Sequence, residues 1–514
     1  MKMSRFKLLQ NYLPQAVLVA SLLTIYLRTL APGLTWANAG SDGGDLITAA
    51  ATGGIAHPTG YPLYLLLARL FQLLPFGSLA FRTNLMSALL TTLATALVFD
   101  LVTRSILSPR NSLPWLPGLV AGYAFGLAPL IWSQAVITEV YALQTLLLLL
   151  VIYLYSIPLS FFIDKQKQLD VLRGLLLGLA MSNHVTALLL LPMALVLGSV
   201  RSRTDISEAL PVRHTWFQNL KFDSPSLGRQ LLGIVIGLSP YLILPLRALA
   251  HPPVNWGNPI TLKNFWWLVS GQLYQSYYLQ FNLPEIWRQL QAGTALFVEQ
   301  FGVPGIILGL IGLIVFGRRS RLYLFTIWIA IGYAAFAFLY RSADSYVYLI
   351  PAFLCFAIWM GKSMAGLVHQ FSGRAFLIIG FGFLGISYFA GRSLAFVNMV
   401  DASQDLRAES FGRETLSVAP ENAILFVKGD QAVFALWYFH FALKERPDLI
   451  VIAEDLLHYD WYQETLQKTY PPLVVPGPFP WPETIARANA LHTVCYAQYS
   501  DQAEMDCSKP FLAP

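Results

Sequence analysis

Two aspartates three residues apart, Asp42 and Asp45, stand among glycines in APGLTWANAGSDGGDLITAAATGGIAHPTGYP, residues 31–62. A carboxylate so placed can take a proton from an attacking hydroxyl. Gly40, Gly43 and Gly44 let the backbone come close to a substrate. The bland role for Asp42 is to cap a helix opening at DLITAAATGG. His57, in the stiff corner HPTGYP, suits three roles equally: donor to a phosphate, orienter of an aspartate, or plain turn residue. Other polar groups stand at the ends of apolar stretches: Arg82, Glu139, His184, Arg247, Arg341 with Asp344, and Trp256 with Asn258 in NWGNP. A guanidinium pairs with phosphate oxygens in a fork, which marks Arg247 and Arg341 as a phosphate clamp, although Arg341 and Asp344 also read as a local ion pair. Glu139 and His184 either shape a site or snorkel to an interface. Trp256 either stacks on a sugar or anchors at lipid headgroups.

The elements that must position these residues are membrane helices. Of 514 residues, 56% are hydrophobic and 12% charged, about half the charged share of a soluble domain. The net charge of +6 reads as basic inner loops rather than a nucleic-acid surface. No Walker sequence, dinucleotide fingerprint or HExxH occurs, so nucleotide hydrolysis and zinc peptidase chemistry are not indicated. Two aspartates alone are weak evidence for a divalent cation, which stays open as a cofactor. Of three cysteines, Cys355 lies in an apolar run. Cys495 and Cys507 are able to pair if their segment faces an oxidising space.

Lys2, Arg5 and Lys7 precede an apolar run without a small-residue cleavage site, so the start reads as an uncleaved span with its amino end inside. Apolar stretches then fall at 12–30, 84–103, 115–133, 138–157, 172–182, 185–199, 230–248, 302–317, 322–340, 345–361 and 375–395, or about eleven spans. The 61–75 segment is short, carries Arg69 and suits a helix lying along the interface. Alternating sides puts the basic loops at 164–168, 201–229 and 318–321 inside, and the odd count puts the tail outside. The expected division is a transmembrane unit over 1–395 and a small soluble α/β unit over 396–514. In the latter, NAILFVKGD, QAVFALWYFHFALKE and DLIVIAEDL read as strand, helix and strand. The outer-side polar residues either line one cavity, with Asp42, His57, Glu139 and Arg247 within about one sugar length, or are scattered.

SDGGDLITAAATGGIAHPTGYPLYLLLARLF (41–71) resembles the opening motif of a family of multi-spanning membrane proteins tied to protein O-mannosylation in animals. That family lies within the GT-C class of membrane glycosyltransferases that use polyprenyl-phosphate sugars. WSQAVITEVYAL, GLAMSNHVTALLLLP, YLILPLRA and NWGNP follow in the family's order. The resemblance, taken as that of a bacterial relative, covers roughly residues 12–400. In the family the motif is usually Asp-Ser-Gly-Glu: Asp42 keeps the aspartate, Gly43 replaces the serine, and Asp45 shortens the glutamate. Thr59 stands where a second proline is common. The resemblance implies a GT-C fold and a hexosyltransferase moving sugar from a polyprenyl-phosphate carrier to an acceptor hydroxyl at the outer face of the plasma (inner) membrane, with inversion. Asp42 would be catalytic. Asp45, His57, Glu139, His184, Trp256 and Asn258 would shape the site or receive the acceptor, and Arg247 and Arg341 would bind lipid phosphate. A transporter or flippase of a lipid-linked or small anionic solute remains the alternative, although no internal repeat of the kind such folds carry is seen. A third reading is a structural subunit whose tail recruits a partner.

Overall fold

A computed structural model describes residues 5–105, 113–156, 165–202, 220–277, 283–315, 320–342, 344–371, 373–478 and 480–508. Most of the 201–229 loop, with Arg318 and Arg319, all read as inner basic positions, lies outside the described residues.

Among the described residues six helices are long and apolar enough to cross a membrane: Leu79–Arg104, Ser224–Ala248, Ile286–Ile314, Arg321–Leu339, Ser345–Gln370 and Ala375–Leu394. Leu116–Gly126 and Pro129–Ala135, bent by 70° at their junction, make a seventh if they count as one span. The chain is therefore an integral membrane protein, mostly helical. The expected eleven or so spans are corrected to six or seven. Apolar length in sequence was divided by breaks in the backbone. Pro129 starts a new helix after the extended Ala128. His184 is extended (φ −152°, ψ 131°) and parts Gln166–Asn183 from Val185–Leu190. Among the described residues Tyr141–Ser156 has 16 residues, about 24 Å of helix against a hydrocarbon core of about 30 Å. The first helix, Arg5–Thr29, carries Pro14 and is not among the six. With the count changed, the side of the tail no longer follows from alternation.

Glycines set a close helix contact. Gly174 and Gly178 face Gly233 and Gly237, and a Cβ at any of the four would run into backbone of the opposing helix. Two small-x-x-x-small faces meeting this way bring backbones together without a hydrophobic drive between helices. The same pair is tied by Arg229, whose Nη2 donates to the fully buried Asp170 at 2.7 Å.

The tail holds a four-stranded mixed sheet. Ile424–Lys428 lies between parallel partners Ile450–Ala453 and Val494–Ser500, and Gln502–Ser508 closes the edge antiparallel. Cys495 and Cys507, opposite one another in that hairpin, form a disulfide. Helix Asp430–Trp437 follows the central strand and continues as a wider turn over Tyr438–Ala442.

This sheet does not stand apart from the membrane helices. Asp405 accepts from Thr35 (2.7 Å) and from the Trp36 backbone (2.9 Å), and Glu409 accepts from the Leu34 backbone (3.1 Å). Asn258 donates to Glu464 (3.1 Å). The Tyr499 ring sits 4.3 Å from Trp36. Gly44 meets the Phe434 carbonyl so closely that a side chain there would collide with it. The tail is clamped onto the first loop from several sides and roofs it.

Candidate functional site

Residues Gly43–Thr52 form the loop helix, which ends at Gly53 in the left-handed region (φ 70°). Gly53 is needed there because a side chain is disfavoured at that φ. The chain then turns back, and Ile55 pairs with Asn255 through the bonds Ile55 N–H to Val254 O and Trp256 N–H to Ile55 O. This short zipper brings His57 back against the start of the loop helix and places Trp256 beside it.

Asp42 occupies the N-cap position, yet its side chain makes no capping bond. The bland reading thus leaves the carboxylate unused. Its Oδ1 accepts from Ser41 Oγ (3.4 Å), and its Oδ2 is 3.5 Å from His57 Nε2. The other imidazole nitrogen, Nδ1, is 2.7 Å from Asp45 Oδ2, which also accepts from the His57 backbone N–H (2.9 Å). Asp45 Oδ1 accepts from the Trp256 indole N–H (3.1 Å). Asp45 is wholly buried, whereas Asp42 keeps 36% of its side-chain surface open. Of the two carboxylates, only Asp42 has an oxygen edge facing space. Asp45 is the group that orients His57, and His57 in turn orients Asp42.

The electrostatics agree with this division. Partial burial raises the Asp42 pKa above the ordinary carboxylate value, the charges of Asp45 and Asp344 add to that, and His57 opposes it. Burial alone would lower the pKa of His57. The charge of Asp42, the bond to Asp45 and the charges of Asp45 and Glu139 outweigh burial and raise it to about 9. At neutral pH His57 is an imidazolium between two carboxylates. It stands where a shared divalent cation would have to sit, and Asp45 has both oxygens engaged. The acidic pair therefore does not fit the cation left open from sequence.

Glu139 is buried in the segment between Pro129–Ala135 and Tyr141–Ser156, where the charges of Asp42, His57 and Asp344 act on it. His184 is buried in the break it creates, its Nδ1 bonded to Thr186 (2.8 Å) and its ring 5.8–6.1 Å from those of Tyr61, Tyr141 and Tyr348. Trp256 is no free stacking face: its ring packs against Phe434, Trp437 and Trp461 while its N–H holds Asp45. Asn258 bridges Asn255, from which it accepts, and Glu464, to which it donates.

Arg247 donates to the Gly54 carbonyl (3.2 Å) at the far end of the loop helix, about 15 Å from Asp42 by helix rise. Asp42, His57 and Glu139 act on one another through their charges, and Arg247 stands at the other end of the loop helix from Asp42. Arg341 follows Arg321–Leu339, its backbone N–H bonded to Tyr277 O (3.0 Å). Arg82 closes a turn by donating to the carbonyls of Gln72, Phe76 and Gly77.

Arg69, in the interfacial helix read at 61–75, also stands near Arg247. It donates to the Ala51 carbonyl (3.1 Å), close enough for its charge to act on Arg247. Leu70, Leu73, Leu242, Leu246 and Leu249 are exposed around the two arginines. A lone arginine in an apolar interfacial helix was the available signal. Asp430 and Tyr274 were missed in sequence; both feel the charge of Asp42. No local pattern marks them, because they reach the site only through the folded tail and outer loop.

Comparison with known proteins places this architecture. The fold is shared with ArnT from Cupriavidus metallidurans, solved bound to undecaprenyl phosphate: 12% identity, 95% of this chain and 93% of that one covered, TM-score 0.60. Residues 42–207 match a family model described as the Protein O-mannosyl-transferase TMEM260 N-terminal domain, and residues 408–506 match TMEM260-associated domain 2. Over 487 residues the chain is 25% identical to Protein O-mannosyl-transferase TMEM260 of Mus musculus, covering 89% of this chain. Over 519 residues it is 24% identical to the tmem260 protein of Dictyostelium discoideum, covering 90%. The chain spans 65% and 59% of the lengths of these two relatives.

Proposed function

We propose that the protein transfers a hexose from a polyprenyl-phosphate carrier to an acceptor hydroxyl, with Asp42 as the base. The observation that carries this reading is the open Asp42 carboxylate held by the His57–Asp45 pair on a GT-C-like membrane scaffold. The undecaprenyl phosphate bound to ArnT supports a polyprenyl phosphate as donor. The names of the two relatives support mannose as the sugar and a protein as the acceptor. The disulfide of the tail supports an oxidising side for the site, with the amino terminus cytoplasmic and the roof at the outer face of a plasma membrane.

In the proposed reaction the acceptor oxygen attacks the anomeric carbon as Asp42 takes its proton. The bond from that carbon to the phosphate oxygen breaks, leaving its electron pair on the phosphate. One displacement from the face opposite the leaving group inverts the anomeric centre. Arg247, with Arg69 and Arg341, supplies the guanidinium groups for the lipid phosphate. Because Arg247 rests on Gly54, it must release that carbonyl to follow the donor toward Asp42. The lipid-facing leucines beside Arg69 and Arg247 suit a polyprenyl chain arriving sideways.

The test is transfer from radiolabelled polyprenyl-phosphate mannose by the purified chain, wild type beside Asp42→Asn. We expect the variant to lose about 10²–10⁴-fold in kcat, the range of general-base catalysis. Equal transfer by both proteins would remove Asp42 from the mechanism. Vesicle translocation of labelled lipid without any sugar transfer would replace the transferase reading with a transporter.

A further inference from the structure

A polar pocket of about 110 Å³ lies at the seam between the outer loop around NWGNP and the roof helix Asp460–Thr469. Every side chain lining it is polar. Asn255, Asn258 and Thr465 are buried at its floor, whereas Glu464, Gln467 and Lys468 are exposed at its rim. It shares no lining residue with the cluster of Asp42, Asp45 and His57, nor with Arg69 and Arg247.

The hydrogen bonds of the floor run in one direction. The Glu464 carboxylate only accepts, so Asn258 presents its Nδ2 to Glu464 Oε2 (3.1 Å). Asn258 Oδ1 then accepts from Asn255 Nδ2 (3.1 Å). That leaves Asn255 Oδ1 without a partner among the described residues, on a side chain only 4% exposed. Thr465 gives its hydroxyl proton to the Trp461 carbonyl (2.8 Å). The floor is therefore a set of acceptors lacking donors, and a buried acceptor left so carries a desolvation cost. The rim adds donors in the Gln467 amide and the Lys468 ammonium. Among the described residues Lys468 makes no ion pair with Glu464, one helical turn before it.

A ligand that fits must donate inward and accept outward from neighbouring atoms. An anion would meet acceptors on the floor and the charge of Glu464. A cation would meet Lys468. Adjacent hydroxyls satisfy both sides, since each carries one proton and two lone pairs. The volume falls well below the roughly 300 Å³ at which drug-sized sites begin, which limits the ligand to one edge of a sugar ring or a glycerol unit. His251, also at the pocket, stands shortly after the end of the span Ser224–Ala248, within reach of a lipid headgroup.

We propose that this pocket binds a vicinal diol, carried by the end of a saccharide or by a glycerol headgroup, and that the bound diol ties the outer loop to the roof. The tie falls where it matters to the site. Asn255 precedes Trp256, whose indole holds Asp45 (3.1 Å), and Glu464 and Thr465 share a helix with Trp461, whose ring packs on Trp256 (5.7 Å). Binding here does not depend on the transferase reading.

The experiment follows melting of the full chain in detergent with methyl α-mannopyranoside, or with 1,4-cyclohexanediol, whose hydroxyls are not adjacent. Nanodiscs of phosphatidylglycerol and of phosphatidylserine test the headgroup source. Wild type is compared with Glu464→Gln, which keeps an oxygen for Asn258, and with Gln467→Trp, which fills the rim. We expect the mannoside to raise the melting temperature saturably and 1,4-cyclohexanediol to leave it unmoved. Each variant should raise the half-saturating concentration about tenfold or more, as expected for one lost bond to a charged group or a blocked mouth. Should Glu464→Gln melt lower by itself, Gln467→Trp on the exposed rim carries the test. A gain in phosphatidylglycerol over phosphatidylserine that both variants abolish, without a mannoside effect, sustains the site and assigns its diol to lipid. The site is overturned if neither diol source shifts melting, if 1,4-cyclohexanediol shifts it equally, or if both variants respond as wild type does. Absence of sugar transfer by the same protein would overturn the proposed function and leave this site standing.

Discussion

At the residue scale the site is a chain of three groups in which each fixes the next: Asp45 holds His57, His57 holds Asp42, and Asp42 faces the opening. Replacing Asp45 by alanine leaves a buried imidazolium with one partner and an indole N–H with none. Losing one member of a buried pair costs about 3–5 kcal/mol. Asp45→Ala should therefore melt well below wild type, and its remaining activity should lose the alkaline limb near 9 as His57 reverts toward 6.5. The pH dependence has a definite sign. The His57 pKa is raised from 6.5 to about 9, so its contribution to stability is complete below 6.5 and is lost as pH rises through 9. Melting of wild type should fall between pH 7 and 10 more steeply than that of His57→Gln. Transfer should also decline on the acid side, where Asp42 gains a proton above the ordinary carboxylate range. Much of this trio was legible in sequence, because Asp42, Asp45 and His57 lie within one short motif. Their ranking was less so. Asp45 shows its role only through Trp256, 211 positions away, whose indole N–H donates to the carboxylate and which reads from sequence as a sugar platform or a headgroup anchor.

At the scale of elements, glycine decides how close parts come. Gly44 touches the roof and Gly178 touches the neighbouring helix, neither with room for a Cβ. Gly44→Val should push the roof from the loop helix, lowering activity and exposing the tail to limited proteolysis. Gly178→Leu should part Gln166–Asn183 from Ser224–Gly237 and reduce thermal stability while leaving the Asp42 cluster its local bonds. A normal melting curve for Gly178→Leu would show that this interface tolerates a gap. The spans were the least readable elements. Apolar runs mark where lipid-compatible chain lies, but the break at His184 and the 70° bend before Pro129 depend on backbone direction, which hydropathy does not encode. The strand, helix and strand of the tail were readable because their patterns are local, whereas the docking of that tail was not.

At the scale of the whole molecule, the roof and the membrane helices form one working unit. Contacts from Asp405, Glu409, Phe434 and Glu464 reach the first and outer loops at well-separated points. Removing residues 396–514 would uncover Trp256 and the His57 side of the cluster, so the shortened chain should lose transfer even though Asp42 remains; recovery of full transfer by it would make the roof dispensable. The bond from Glu409 to Leu34 joins positions 375 residues apart. This separation bears on the order of events during synthesis. The ribosome makes the Asp42-bearing loop early and the Glu409 segment late, after the intervening helices have entered the bilayer. A nascent chain therefore carries Asp42 with its roof side open. On the proposed mechanism, a translation product interrupted before Glu409 lacks the contacts that close this side of Asp42 and should be inert rather than unselective.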